Sequence, residues 1–82
     1  MSPRTLLRRF KDATGMAPNE WLVRERVATA RELLEAGRVS LDGVAERAGF
    51  GSVESFRRHF RLIVGTAPSD YRRRFRASVA SR

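Results

Sequence analysis

Glycine and proline divide the chain into five stretches whose apolar residues recur at helical spacing. A serine or proline marks each of the five helix starts, and a glycine that tolerates the left-handed conformation marks the end of the first four helices. No stretch alternates apolar and polar residues for long enough to predict a strand. The sequence therefore predicts an all-α fold with helices at 3–14, 18–36, 41–48, 53–64 and 68–76, followed by a tail at 77–82.

Apolar residues three and four positions apart give each predicted helix a face that can be buried. These residues are Leu6, Leu7 and Phe10 in the first helix, Trp21, Leu22, Val27, Ala30, Leu33 and Leu34 in the second, Leu41, Val44, Ala45 and Ala48 in the third, Val53, Phe56, Phe60 and Ile63 in the fourth, and Tyr71 and Phe75 in the fifth. The second helix is the longest, at about 28 Å. We expect Trp21 and Tyr71 to lie in the core.

The chain contains an internal repeat at a distance of fifty positions. Ser2, Arg8, Phe10, Gly15, Ala17 and Pro18 recur as Ser52, Arg58, Phe60, Gly65, Ala67 and Pro68. Conservative pairs are Leu6 with Phe56, Lys11 with Arg61, Glu20 with Asp70, and Trp21 with Tyr71. The repeat indicates two equivalent units, each with a capped helix, a glycine stop and a second helix that begins at a proline.

The two units differ in completeness. The second has the predicted helix 41–48 in front of the repeated part, whereas the first starts at Met1, where that helix would stand. We expect the chain to be a piece of a longer protein; the alternative is a first unit that works without its leading helix. Because Leu6 and Phe10 would then be partly uncovered, we expect residues 1–15 to be the less stable half.

Composition excludes several kinds of site. The 82 residues allow one small domain, or two small subdomains that share a core. The chain has no Cys and only His59 as a histidine, which excludes thiolate zinc sites, cysteine nucleophiles and multi-histidine metal clusters. We therefore predict no catalytic residues, no cofactor and no metal.

Hydropathy gives no sign of a membrane partner. No stretch approaches the roughly 20 apolar residues of a membrane span. The N-terminus also lacks the apolar region of a signal peptide. We expect a cytoplasmic protein, associated with the nucleoid.

Charge points to a polyanionic partner. The chain has 17 Lys and Arg against 9 Asp and Glu, a formal net charge of +8. Ten basic and four acidic residues fall in residues 38–82, against seven and five in residues 1–37. The basic run 72–74 by itself is equally typical of a solvated helix surface.

Residues 40–61 have the pattern of a helix-turn-helix. Ala45 is small enough for two helices to cross closely, and Gly49 permits a left-handed turn between them. The predicted core between the helices is Val44, Ala48, Phe50, Phe56 and Phe60. The second helix would present Val53, Glu54, Ser55, Arg57, Arg58 and Arg61 outward. Such a helix fits the major groove of DNA, where Arg pairs with guanine; a plain three-helix bundle with a basic surface is the alternative.

The two units resemble the DNA-binding domain of AraC/XylS-type bacterial transcription regulators. In that family a long helix joins two helix-turn-helix subdomains, which are homeodomain-like three-helix units. The second copy carries the resemblance in Gly49, Phe50, Ser52, Phe56, Arg58, Phe60, Arg61, Gly65, Ala67, Pro68, Tyr71 and Arg72. The first copy carries it in Ser2, Leu6, Arg8, Phe10, Lys11, Thr14, Gly15, Ala17, Pro18, Trp21 and Leu22, and the linker helix in Arg26, Ala30, Leu33 and Leu34. Ala17 and Ala67 depart from the family, where serine is frequent, and are expected to be weak N-caps.

The resemblance implies a division of the chain and a set of DNA contacts. Residues 1–17 would be a partial first helix-turn-helix, 18–36 the linker helix and 40–76 the second helix-turn-helix subdomain. Base contacts are implied for Arg4, Leu7, Arg8, Val53, Glu54, Ser55, Arg57 and Arg58. Phosphate contacts are implied for Lys11, Pro18, Arg24, Ser40, Arg61, Pro68 and Arg72, with backbone N–H groups acting at the helix starts near Pro18, Ser40 and Pro68. His59, which aligns with Arg9, is expected on the helix surface.

The resemblance also suggests partners. Double-stranded DNA is the first, and RNA polymerase is a further one. Family members carry an effector or dimerisation domain that this chain does not include. Two alternatives stay open: a basic protein that binds DNA or RNA without sequence choice, and a truncated regulator that acts as a decoy. The mixture of Glu54, Ser55 and Arg58 on one helix favours base reading over the first of these alternatives.

Overall fold

The computed structural model describes residues 3–80, and these residues form five α-helices and no strand. The helices are α1 (Pro3–Thr14), α2 (Pro18–Ala36), α3 (Leu41–Arg47), α4 (Val53–Val64) and α5 (Pro68–Ala80). The all-α prediction is therefore confirmed.

Helix starts and ends follow the predicted residues. The Ser40 hydroxyl accepts a hydrogen bond from the Gly43 N–H, and the Ser52 hydroxyl accepts one from the Ser55 N–H, both at 3.1 Å. Ala17 precedes α2 without any side-chain cap, as its residue type requires. The predicted N-cap Ser2 lies outside the described residues.

The prediction of a tail at 77–82 is wrong for its first part, because α5 continues to Ala80. Residues 76–80 contain no glycine or proline to end the helix. Arg and Ala are among the better helix formers, so nothing in this segment opposes one more turn.

The core lies around the second unit and the C-terminal half of α2. Among the described residues, the buried apolar ones of this core are Val27, Ala30, Leu34, Val44, Ala45, Ala48, Phe50, Phe56 and Phe60. All of them come after residue 26. The described chain is accordingly elongated, with a radius of gyration of 15.2 Å, where a compact chain of this length would have about 12 Å.

The first unit is more open than predicted. Trp21 is 39% exposed, so its assignment to the core is wrong, and the neighbouring Leu22 is exposed as well. In the repeat, Leu6 is 60% exposed whereas its counterpart Phe56 is completely buried. The physical reason is packing: α4 lies against α2, α3 and α5, while α1 packs mainly on α2.

Close crossing of α3 and α4 produces the helix-turn-helix. Ala45 is buried at the crossing, and Gly49 turns the chain with a φ of 91°. The Phe50 N–H donates to the Ala45 carbonyl and completes the turn. Phe50 and Phe56 then meet with ring centroids 5.3 Å apart, and Phe56 and Phe60 with centroids 5.7 Å apart. The predicted core of this motif is confirmed.

Polar contacts that no sequence pattern predicts join α5 to the end of α2. The Tyr71 hydroxyl donates to Glu35 Oε1 at 2.6 Å and accepts from Arg31 Nε at 3.3 Å. The hydrogen bond to the Tyr71 hydroxyl raises the pKa of Arg31 above its usual value. The guanidinium groups of Arg72 and Arg76 donate to backbone carbonyls of the loop after α2.

Replacing Gly49 by alanine should destabilise the protein by about 1–2 kcal/mol or more, because the position needs a left-handed backbone. The added Cβ would also lie 3.2 Å from Arg26 Nε. Gly51→Ala is the matched control, since its Cβ would meet nothing within 4 Å and its φ is not positive. Urea denaturation followed by circular dichroism measures both, and equal stability of the two variants would contradict the assigned turn.

Amide hydrogen exchange should be faster in α1 than in α4. The described side chains of α1 are exposed, whereas α4 contributes two buried phenylalanines, and sparsely packed elements open locally at low free energy. Mass spectrometry or NMR after exchange would show the difference. Similar protection in the two helices would show that α1 is held as firmly as the second unit.

Candidate nucleic-acid interface

One face of α4 is polar and open to solvent. Glu54, Arg57, Arg58 and Arg61 are exposed, opposite the buried Phe56 and Phe60. Positions 54, 57, 58 and 61 are three, four and seven residues apart, which places them on the same side of a helix. This face, called the α4 face below, has a net positive charge and sits on a helix that the core holds firmly.

No ion pair neutralises the three arginines of the α4 face within the described part of the chain. The ion pair found there joins Arg73 to Asp70 on α5, at 2.6 Å. Arg57, Arg58 and Arg61 therefore keep their donors for a partner outside the protein. Arg can contact two acceptors of one guanine or two oxygens of one phosphate.

Two other residues implied as base contacts are less accessible. Val53 is half-buried and packs against the core. Ser55 is half-buried too, and its side chain lies 3.2 Å from Nδ1 of His59. Both side chains lie at the start of α4 and neither is fully exposed. A contact of either one with a groove would therefore be at its edge.

The expectation that His59 lies on the helix surface holds only in part. His59 is half-buried, its ring stacks on Phe50 with centroids 6.1 Å apart, and Nδ1 lies 2.8 Å from the Ser55 carbonyl oxygen. The imidazole therefore packs against a buried residue of the core. Sequence alone could not show this, because Phe50 belongs to the turn before α4.

α1 presents a face that matches the α4 face. Arg4, Arg8 and Lys11 are exposed, and they occupy the repeat positions of Glu54, Arg58 and Arg61. The side chain of Leu7, the counterpart of Arg57, lies outside the described residues. Both units therefore expose the same helix surface, although α1 is the less enclosed of the two helices.

The residues implied as phosphate contacts differ in how accessible they are to solvent. Lys11, Arg24, Ser40 and Arg61 are exposed, Pro18 is half-buried and Pro68 is buried. Arg72 instead donates from Nη1 to the Val39 carbonyl at 2.8 Å, so part of its guanidinium is already hydrogen-bonded within the protein. Arg72 and Arg76 are four residues apart and share a helix side, a spacing that sequence could reveal although it could not reveal the acceptors.

Residues 3–80 contain no group of three or more His, Cys, Asp or Glu that could hold a metal ion. None of the helices described is long and apolar enough to cross a membrane.

Sequence comparison identifies the family. The profile of a family described as a helix-turn-helix domain matches residues 1–74. The regulator Rv1931c of Mycobacterium tuberculosis is 41% identical over 75 residues, which cover 92% of this chain and 29% of that protein. The transcriptional activator RhaS of Escherichia coli is 38% identical over 72 residues, which cover 88% of this chain and 26% of RhaS.

Structure comparison gives the same result. The DNA-binding domain of AdpA, a global transcriptional factor solved in complex with a target DNA, is 47% identical with a TM-score of 0.91. The match covers 95% of this chain and 70% of that one. The transcriptional regulator CdpR of Pseudomonas aeruginosa has a TM-score of 0.75 at 41% identity, over 85% of this chain and 22% of CdpR.

The helical arrangement and the comparisons define a helix-turn-helix protein. More narrowly, the chain belongs to the AraC-type family of transcription regulators. It spans 24–29% of the length of the first curated relatives that it matches.

Replacing Ser52 by alanine should lower the free energy of unfolding by about 1 kcal/mol, because the N-cap of α4 loses its side-chain acceptor. Ser69→Ala is a suitable control, since Ser69 is exposed in the first turn of α5. Chemical denaturation of both variants measures the effect. A loss no larger for Ser52→Ala than for Ser69→Ala would mean that the cap does not stabilise α4.

Proposed function

We propose that this chain is a sequence-specific domain for double-stranded DNA, with α1 and α4 as recognition helices in successive major grooves. The observation that carries the proposal is the likeness of nearly the whole chain to a domain solved in complex with its target DNA. The exposed, basic faces of α1 and α4 give this likeness a physical basis.

The α4 face would read bases through Arg57 and Arg58, since exposed arginines on a helix can pair with the O6 and N7 atoms of guanine. Glu54 would accept from the amino group of cytosine. Val53 and Ser55, half-buried at the start of the helix, would contact the edge of the site. An acidic residue within the face supports base reading, because a surface that binds phosphate alone gains nothing from Glu54.

In the first unit, Arg4, Leu7 and Arg8 would take the corresponding positions. The length of α2 supports two simultaneous contacts. Its 19 residues extend over about 28 Å, and successive major grooves on one side of a duplex lie about 34 Å apart.

Phosphate contacts would come from the rim of the two faces. Lys11, Arg24 and Arg61 are exposed cations beside the proposed recognition helices. Backbone N–H groups at the starts of α2, α3 and α5, near Pro18, Ser40 and Pro68, would add contacts that position the protein without reading sequence. Arg72 would contribute only those guanidinium N–H groups that do not bond to the Val39 carbonyl.

Regulation of transcription by a whole protein is part of the same proposal, because the curated relatives are several times longer than this chain. RNA polymerase would be the partner for activation. An effector or dimerisation domain would lie in the additional length. The proposal includes no catalytic activity.

A second candidate is binding to nucleic acid without sequence choice, either as a general basic protein or as a decoy for a full-length regulator. The net charge of +8 favours it, since phosphate contacts alone can supply non-specific affinity. Selection of the chain on random duplexes at several salt concentrations separates the two. An enriched motif across two major grooves supports the proposal; strongly salt-dependent binding without a motif contradicts it.

Arg58→Ala should reduce discrimination at one base pair of the selected site by about 1–3 kcal/mol, because the variant lacks a base-edge contact. Arg74→Ala, which removes an equal charge from exposed α5, should weaken binding to all sequences alike. Fluorescence anisotropy on the selected site and on single-base variants measures both. If Arg58→Ala behaved as Arg74→Ala does, Arg58 would be a phosphate contact and not a base reader.

A further inference from the structure

The second unit is fixed to the linker helix by directional contacts as well as by apolar packing. Val27, Ala30 and Leu34 of α2 pack into the core, but contacts between apolar surfaces do not by themselves prevent small sliding or rotation. The hydrogen bonds of α5 add direction. We call this set of contacts the α2–α5 clamp. It comprises Tyr71, Arg72 and Arg76 of α5, together with Arg31, Glu35 and the carbonyls of Gly37 and Val39.

Tyr71 is the central residue of the clamp. Its hydroxyl is 2.6 Å from Glu35 Oε1 on α2, and the Arg31 guanidinium lies 5.5 Å from the ring centroid. The ring also contacts Phe60 on α4, edge to face with centroids 5.5 Å apart. One side chain therefore touches both the linker helix and the proposed recognition helix of the second unit.

The two arginines hold the loop between α2 and α3. Arg76 Nη2 donates to the Gly37 carbonyl at 2.9 Å, and Arg72 Nη1 donates to the Val39 carbonyl at 2.8 Å. Gly37 has a φ of 70°, and a glycine at a helix end is a natural point of bending. Bonds to the carbonyls on either side of residue 38 oppose that bending.

We propose that the α2–α5 clamp sets the distance and the rotation between the two recognition helices, and so the spacing of the two half-sites in DNA. Tyr71 and Arg76 are then positioning residues that contact no base. The inference depends on the proposed function. The clamp would act through the linker helix. Because α1 packs on α2, a change in the angle between α2 and the second unit displaces the exposed face of α1.

The test uses the double variant Tyr71→Phe with Arg76→Ala, called the clamp variant below, and the single variant Arg74→Ala is its charge-matched control. Tyr71→Phe alone is the variant least able to disturb folding, because it keeps the ring against Phe60. Circular dichroism establishes the helical content and melting temperature of each protein. Binding is measured by anisotropy on the selected bipartite site, on sites with one base pair added to or removed from the spacer, and on each half-site alone.

One base pair changes the separation of the half-sites by about 3.4 Å and their rotation by about 35°. The wild-type chain should therefore lose affinity by at least about tenfold on either altered spacer, the effect of breaking the base contacts of one helix. The clamp variant should lose no more than about threefold, with half-site affinities equal to those of the charge-matched control. Tyr71→Phe alone should lie between the two.

Three results would overturn the inference. In the first, the affinity of the clamp variant depends on spacer length as that of the wild-type chain does. In the second, its affinity falls by the same factor on every duplex, which would show an effect on stability or charge only. A wild-type chain that binds all spacers equally would instead overturn the two-helix function, and the positioning role with it. Half-site affinities distinguish these cases, since they remain measurable in each.

A second measurement needs no DNA. The chain has no Cys, so Asp12→Cys on α1 and Leu62→Cys on α4 accept spin labels at two exposed positions. Double electron–electron resonance should give a broader distribution of distances between the two spin labels in the clamp variant than in its charge-matched control. Equal distributions would show that the clamp does not restrict the two helices.

Discussion

Burial of Phe56 and Phe60 beneath α4 is the interaction on which the other features depend. Both rings are inaccessible to solvent, and removing a buried phenylalanine typically costs about 3–5 kcal/mol. Because these two residues fix one side of α4 to the core, the opposite side has to face outward. The arginines that we assign to DNA are therefore presented by the same contacts that stabilise the fold.

Arginine has two different uses in this protein. Arg57, Arg58 and Arg61 are exposed on the α4 face, while Arg72 and Arg76 donate to carbonyls of the loop after α2. A planar guanidinium with five donors suits both tasks. Net charge consequently overestimates the surface available for DNA, because part of it serves to connect helices.

The two repeated units differ in how firmly they are held. The second has a buried aromatic core and two serine N-caps, whereas the first is formed by α1 and the uncapped start of α2. If both units bind DNA as we propose, the linker helix has to be fixed at the second unit, because only then does α1 keep a defined position relative to α4. Contacts of Tyr71 with both α2 and α4 are placed where such fixing is required.

Local signals determined the helices and the repeat. Prolines, serine caps and glycines act within one helical turn, so the sequence by itself located every described helix to within a few residues, the exception being the end of α5. Residues with the spacing of Arg58 and Arg61 could be placed on one outward face for the same reason. Tertiary structure alone decided the exposure of Trp21, the stacking of His59 on Phe50 and the bonds of Tyr71 and Arg76. Each of these depends on a partner that is distant in sequence or belongs to another element, and periodicity along one helix carries no information about what lies opposite.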